Sequence, residues 1–94
     1  MQYITIIAEF KLLEQTDRVK EELLSLVEPT QNEKGCVDYI FYRDNDDPNI
    51  LMLYENWETE EDLKAHTGTE RFKDTFKRIE GLFELKVHKL TKID

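Results

Sequence analysis

His66 is the side chain in this sequence best suited to chemistry at neutral pH. An imidazole changes charge between pH 5 and 8 and is the natural general base there. His66 lies four residues after Asp62 and three after Leu63, so on a helix all three share one face. An ionised Asp62 would favour protonated His66. The structural alternative is a histidine closing a helix just before Gly68, where a cation suits the negative end of the helix dipole. The spacing is compatible with both uses.

Other chemistries fit the residues poorly. Gly35, Gly68 and Gly81 are too scattered for a phosphate-binding loop or a dinucleotide fingerprint. The single serine, Ser25, sits within a helical pattern and has no evident base. His66 and His88 fall in different elements and have no cysteine partners for a zinc site. Cys36 is the only cysteine, which excludes an internal disulfide. Beside Gly35 at a strand start, and close to Asp38, it reads as a small buried hydrophobe rather than an activated thiol. Asp44, Asp46 and Glu55 match positions one, three and twelve of a calcium loop, but Asn49 and Pro48 violate that motif. A solvated hairpin turn is the simpler reading.

Aromatic residues are numerous: Tyr39, Phe41, Tyr42, Tyr54, Trp57, Phe72, Phe76 and Phe83. Most should be core, and some could line an apolar pocket.

The elements that must position these residues can be traced along the chain. Tyr3 to Phe10 is β-branched and aromatic, with both faces largely apolar, and predicts a strand covered on both sides. Val19, Leu23, Leu26 and Val27 recur at helical spacing, with Leu24 widening the stripe. Thr16 and Asp17 suit the start of that helix, and Pro29 should kink or end it. Cys36 to Arg43 and Ile50 to Trp57 predict two strands joined by the polar turn Asp44 to Asn49. Thr59 should cap a second helix with an acidic first turn. Gly68 interrupts it, Thr69 can cap its continuation through Phe72, Phe76 and Ile79, and Gly81 stops it. Leu85 to Lys92 predicts a fourth strand. The order β-α-β-β-α-β is the ferredoxin-like α+β arrangement: a four-stranded antiparallel sheet with helices on one face.

Composition agrees with one domain over residues 1–94. Hydrophobic residues make up 39% and charged residues 36%. A domain this small buries only about 60% of its unfolded surface, so a second copy would help stabilise it. The net charge of −8 disfavours nucleic acid and anionic membranes as partners. No stretch approaches the roughly 20 apolar residues of a membrane span, and Met1-Gln2-Tyr3-Ile4 lacks a leader's pattern. A cytoplasmic location is expected.

Three runs carry a family resemblance. Val27-Glu28-Pro29-Thr30 with Glu33-Lys34-Gly35-Cys36, the turn Tyr42 to Asn49, and Leu53 to His66 followed by Phe72 resemble antibiotic-biosynthesis monooxygenase (ABM) domains along nearly the whole chain. The resemblance implies a homodimer forming a dimeric α+β barrel, with a pocket between sheet and helices in each subunit. His66 matches the family's frequent histidine, and Trp57 its end-of-strand tryptophan. Many relatives carry a second histidine where this chain has Arg71, which could instead hold an anionic substrate or peroxide. The haem-degrading branch is less similar: the first strand lacks its Asn, His66 takes the place of its Trp, and Phe76 that of its His.

The resemblance implies a cofactor-independent monooxygenase that oxidises a quinol or similar electron-rich phenol with dioxygen, needing no metal. In that reading His66 is the base, polarised by Asp62. Trp57, Tyr54, Phe72 and Phe76 line the pocket, and Arg71 or Asn56 stabilises developing negative charge. An isomerase or degrading enzyme for a small signalling metabolite, and a non-catalytic dimeric ligand-binding module, are the alternatives. Haem binding is a weaker option.

Overall fold

The computed structural model describes residues 2–94; Met1, part of the stretch read above for a leader, lies outside the described residues. Strand β1 (Ile4–Leu12) alternates, with Ile6, Ala8, Phe10 and Leu12 buried on one face. It runs two residues beyond Phe10 because Lys11 pairs with Ile50 and Leu12 with Phe83.

The first helical pattern divides in two. α1 (Thr16–Leu24) buries Val19 and Leu23, while Leu24 is exposed rather than part of the apolar stripe. Its cap is Gln15, in the left-handed conformation at φ 50°, and Thr16 is already helical. The chain breaks at Ser25–Leu26, ahead of the proline, and α2 (Val27–Gln31) then forms. Pro29 lies in the first turn of α2, where its missing N–H leaves no helical bond unmade. The expected kink or end at Pro29 is thus corrected to an earlier break, after Leu24 and before Val27.

β2 (Cys36–Arg43) and β3 (Ile50–Trp57) form the expected hairpin, with Val37 bulged between the pairs Cys36–Trp57 and Asp38–Asn56. In its turn, Asp44 accepts from the N–H groups of Asp46 (2.8 Å) and Asp47 (3.1 Å). α3 (Glu60–Thr67) begins at Thr59, whose Oγ1 accepts from the Asp62 N–H at 3.0 Å. α4 (Glu70–Arg78) begins at Thr69, whose Oγ1 accepts from the Phe72 N–H at 3.2 Å. Each cap satisfies a donor that the helix leaves free, worth about 1 kcal/mol. β4 (Phe83–Thr91) completes the chain after Gly81, which takes φ +81°.

The sheet is antiparallel with strand order β2-β3-β1-β4, the ferredoxin-like topology. The helices cover one face, where Val19, Leu23, Leu26 and Ile79 pack on Ile6, Ala8, Phe10, Tyr39, Leu51 and Leu53. Each fully buried aliphatic side chain there contributes about 1.5–3 kcal/mol. Cover is incomplete at the β4 edge: Leu85 and Val87, paired with Phe10 and Ala8, remain about half exposed. The opposite face carries Ile7, Ile40, Tyr42, Met52, Tyr54 and Leu90, of which Ile40, Tyr42 and Leu90 are exposed. Among the described residues, no helix is long and apolar enough to cross a membrane.

Candidate active site

The uncovered flank opens a cavity of about 650 Å³ between the helix-bearing face of the sheet, α3 and α4. That volume suits a small organic ligand. Phe10, Leu53, Leu63, Phe72, Phe76 and Val87 contribute to its apolar wall. Tyr39, Glu55 and His66 are buried polar residues of its lining, and Glu60, Lys64 and Lys89 also line it. Lys89 Nζ reaches a Glu60 carboxylate oxygen at 2.7 Å, tying β4 to the start of α3.

His66 stands in the last turn of α3 and is only 3% exposed. Its Nδ1 lies 2.8 Å from Oε1 of Glu33, in the turn between α2 and β2. A carboxylate only accepts, so the bond places the imidazole proton on Nδ1 and leaves the Nε2 lone pair free. Trp57 stacks on the imidazole at 4.8 Å between ring centroids. Tyr39 and Phe72 meet it edge-on at 5.6 and 5.1 Å. Burial in this aromatic cage pushes the imidazole pKa below its ordinary value; the bond and charge of Glu33 oppose that shift, and Arg71 adds to it. A neutral, oriented imidazole results, which is the form a general base needs.

Glu55 is a second polar group in the cavity, 6% exposed. Its Oε1 accepts from Trp57 Nε1–H at 2.8 Å. Burial pushes its pKa up to about 7; the Trp57 bond opposes this and the charge of Glu33 adds to it. Trp57 therefore grips both polar groups, one through its ring face and the other through its N–H.

His66, Phe72 and Phe76 come together on the cavity wall. Asp62 does not meet the expectation that it polarises His66. Its carboxylate lies over Gly35, where a Cβ would collide with it, and Glu33 occupies the imidazole's Nδ1. Tyr54 and Asn56 are also corrected, for a geometric reason. Successive strand side chains point to opposite faces, so Leu53, Glu55 and Trp57 face the helices while Tyr54 and Asn56 face away. On that far face Asn56 Nδ2 donates to Asp38 Oδ2 (2.9 Å) and Tyr54 Oη (2.7 Å). Trp57 lies beneath the cavity and supports its polar groups without lining it. Arg71 is half exposed and turned to Glu33 Oε2 at 3.5 Å, outside the cavity lining.

Glu33 and Glu55 are the polar partners of His66 and Trp57 that sequence reasoning missed. Nothing local links Glu33 to His66, 33 residues away. For Glu55 a signal existed: it alternates with Leu51, Leu53 and Trp57, an otherwise apolar face. Cys36 is partly buried and burial pushes its thiol up to about 11, with Glu55, Glu33 and Asp38 adding to the rise.

The four-stranded ferredoxin-like sheet agrees with the comparisons to known proteins. Residues 4–78 match the model of the antibiotic biosynthesis monooxygenase family, and the chain belongs to that family. It is 30% identical over 79 residues to the uncharacterized protein sll1783 of Synechocystis, covering 76% of this chain and 54% of that one. It is 32% identical over 66 residues to the uncharacterized protein YjcS of Bacillus subtilis, covering 70% of this chain and 63% of that one. The matches thus span less than two thirds of either relative's length. Among solved structures it resembles PA3566 of Pseudomonas aeruginosa, with a TM-score of 0.93 and 26% identity, over 100% of this chain and 97% of that one.

Proposed function

We propose that this protein is a cofactor-independent monooxygenase that oxidises a quinol, or a similar electron-rich hydroxyaromatic, with dioxygen. The observation that carries the reading is the Glu33–His66 pair opening on an apolar cavity of about 650 Å³. Membership of the ABM family supports the same class of reaction.

The chemistry follows from that pair. Nε2 of His66 removes a hydroxyl proton from the bound quinol. The resulting anion gives one electron to dioxygen, and the semiquinone and superoxide so formed join at a ring carbon. The proton returns from His66 to the new peroxide, giving a ring hydroperoxide. Loss of water yields a hydroxyquinone. The balance is quinol plus dioxygen to hydroxyquinone plus water. General-base catalysis supplies roughly 10²–10⁴-fold of the rate.

The test is dioxygen uptake with a reduced naphthoquinol, corrected for autoxidation without protein. Wild-type uptake above that control should fall about 100-fold in His66→Ala, within the range removal of a general base produces. Undiminished turnover in the variant would remove His66 from the mechanism. The same cavity also suits isomerisation of a small carbonyl metabolite, since His66 and Glu55 offer a base and an acid together. Turnover in strictly anaerobic buffer would favour that reading.

We also propose that two copies pair through the outward face of the sheet. Its apolar side chains, Ile7, Met52 and Tyr54 with exposed Tyr42, form a patch of the kind that marks association surfaces.

A further inference from the structure

Glu55 is a carboxyl group in the wrong place for a structural residue. It faces the helices from the middle of the sheet, on a strand face otherwise built of Leu51, Leu53 and Trp57. It makes no ion pair among the described residues, although a charge this deeply buried ordinarily has a partner. One oxygen is held by Trp57 Nε1–H at 2.8 Å. The other has no hydrogen-bond partner among the described residues, yet it is not sealed in the interior, because Glu55 belongs to the cavity wall. The carboxyl is thus clamped at one atom and presented at the other.

Its surroundings determine its protonation. Cross-strand pairing places Tyr39 of β2 on one side and Ile6 of β1 on the other, with Lys89 of β4 beyond Ile6. Cys36 of β2 and Glu33 ahead of it bring no positive charge. α3 contributes neutral His66 and, on the cavity wall, Lys64; α4 contributes Phe72 and Phe76. Lys89 is occupied with Glu60. Only the Trp57 N–H favours the anion and Glu55 has no ion-pair partner among the described residues, so burial keeps the acid largely neutral below about pH 7.

We propose that Glu55 is the catalytic acid of this site, donating a hydrogen bond to the substrate's oxygen and then its proton to the oxygen that leaves as water. The inference rests on the oxygenase reading above. In the final step His66 Nε2 takes the proton from the ring carbon that bears the hydroperoxide. The C–H electron pair becomes the second bond of a C=O group, and the O–O bond breaks. The departing hydroxide takes the Glu55 proton and leaves as water. The carbon is oxidised and the peroxide reduced. Transfer of a proton from imidazolium to the Glu55 carboxylate restores both groups. The division of labour is that of a base and an acid with opposite environmental shifts in one apolar site.

The test uses the full chain, wild type against Glu55→Gln and His66→Gln. In Glu55→Gln the new amide oxygen can still accept from Trp57 Nε1–H, so the fold should survive. With naphthoquinol, kcat should fall about 100-fold in Glu55→Gln, a typical loss for removal of a general acid. The wild-type decline of kcat/KM above about pH 7 should disappear in that variant. A binding arm is independent of turnover. 1,4-Naphthoquinone, which only accepts hydrogen bonds, should quench the fluorescence of Trp57, the only tryptophan. Its affinity for wild type should fall about 10-fold from pH 6 to pH 8.5, as expected when a donor becomes an anion. In Glu55→Gln it should not change with pH, and in His66→Gln the wild-type dependence should persist. Wild-type kinetics in Glu55→Gln, with turnover lost in His66→Gln, would overturn the role of Glu55 and leave the oxygenase intact. No turnover in wild type would overturn the oxygenase, and pH-independent quinone binding would then overturn Glu55 as the donor as well.

Discussion

Nδ1 of His66 lies 2.8 Å from Oε1 of Glu33, and Oε2 of the same carboxylate lies 3.5 Å from an Arg71 guanidinium nitrogen. One side chain from the turn before β2 thus orients the imidazole and connects it to the first turn of α4. In the proposed reaction this orientation leaves Nε2 as the base, and the carboxylate's charge would stabilise the imidazolium once a proton has been taken.

Glu33→Gln tests this role. A glutamine oxygen can still accept from Nδ1–H, so His66 should stay in place while the charge is lost. Glu33 opposes the fall in the His66 pKa, so the variant's imidazole should titrate at lower pH. The acid limb of kcat/KM should move to lower pH, and the maximal rate should fall by about 10²-fold, the low end for impaired general-base catalysis. Asp62→Asn is the matched control: that carboxylate lies over Gly35, so the limb should stay in place. Quinol-dependent oxygen uptake from pH 5 to 9 separates the cases. A shift in Asp62→Asn but not in Glu33→Gln would reverse the assignment.

The two faces of the sheet give a second prediction. Met52 and Tyr54 point away from the cavity and, with Ile7 and Tyr42, form the proposed pairing surface. Met52→Glu would introduce repulsive charges across a two-fold interface, where each substituted site recurs. Light scattering should give twice 11.3 kDa for wild type and 11.3 kDa for the variant at micromolar concentration. A monomeric wild type under those conditions would refute the pairing.

Much of the frame was readable because local signals and tertiary demands agree. β2 and β3 run from Cys36 to Arg43 and from Ile50 to Trp57, as β-branched and aromatic runs around a polar turn require. Thr59 and Thr69 cap the helices they were expected to cap. The site was harder. In β3 the usual rule sends the charged residue to water, which would put Glu55 outside and Tyr54 and Asn56 inside. The fold does the reverse, because Leu51, Leu53 and Trp57 share the face of Glu55 and their burial outweighs the cost of one carboxyl. Asp62 is the partner that helical spacing suggests for His66, whereas a contact across 33 residues leaves no local signal.

The burial of Glu55 should leave a mark on stability whose sign is opposite to that of an ordinary paired carboxylate. Its pKa is about 7 in the fold against an ordinary 4.5. Between those values the unfolded chain has lost the proton and the folded chain keeps it, so raising the pH favours unfolding. The contribution is fully present below about pH 4.5, is lost progressively up to about pH 7, and is constant above. The rise from 4.5 to about 7 sets an upper limit of about 3 kcal/mol. His66 acts in the other direction. Its pKa is lowered in the fold, so below about pH 6.5 the unfolded chain takes up the proton first and acid destabilises. The two slopes oppose each other in mild acid, and near neutrality Glu55 alone remains. Melting temperatures from pH 5 to 8.5 for wild type and Glu55→Gln isolate it. The advantage of wild type over the variant should shrink by several degrees across that range, since about 1 kcal/mol corresponds to roughly 4–8 °C in a domain of this size. Parallel curves would mean that Glu55 ionises in the fold as it does in the open chain.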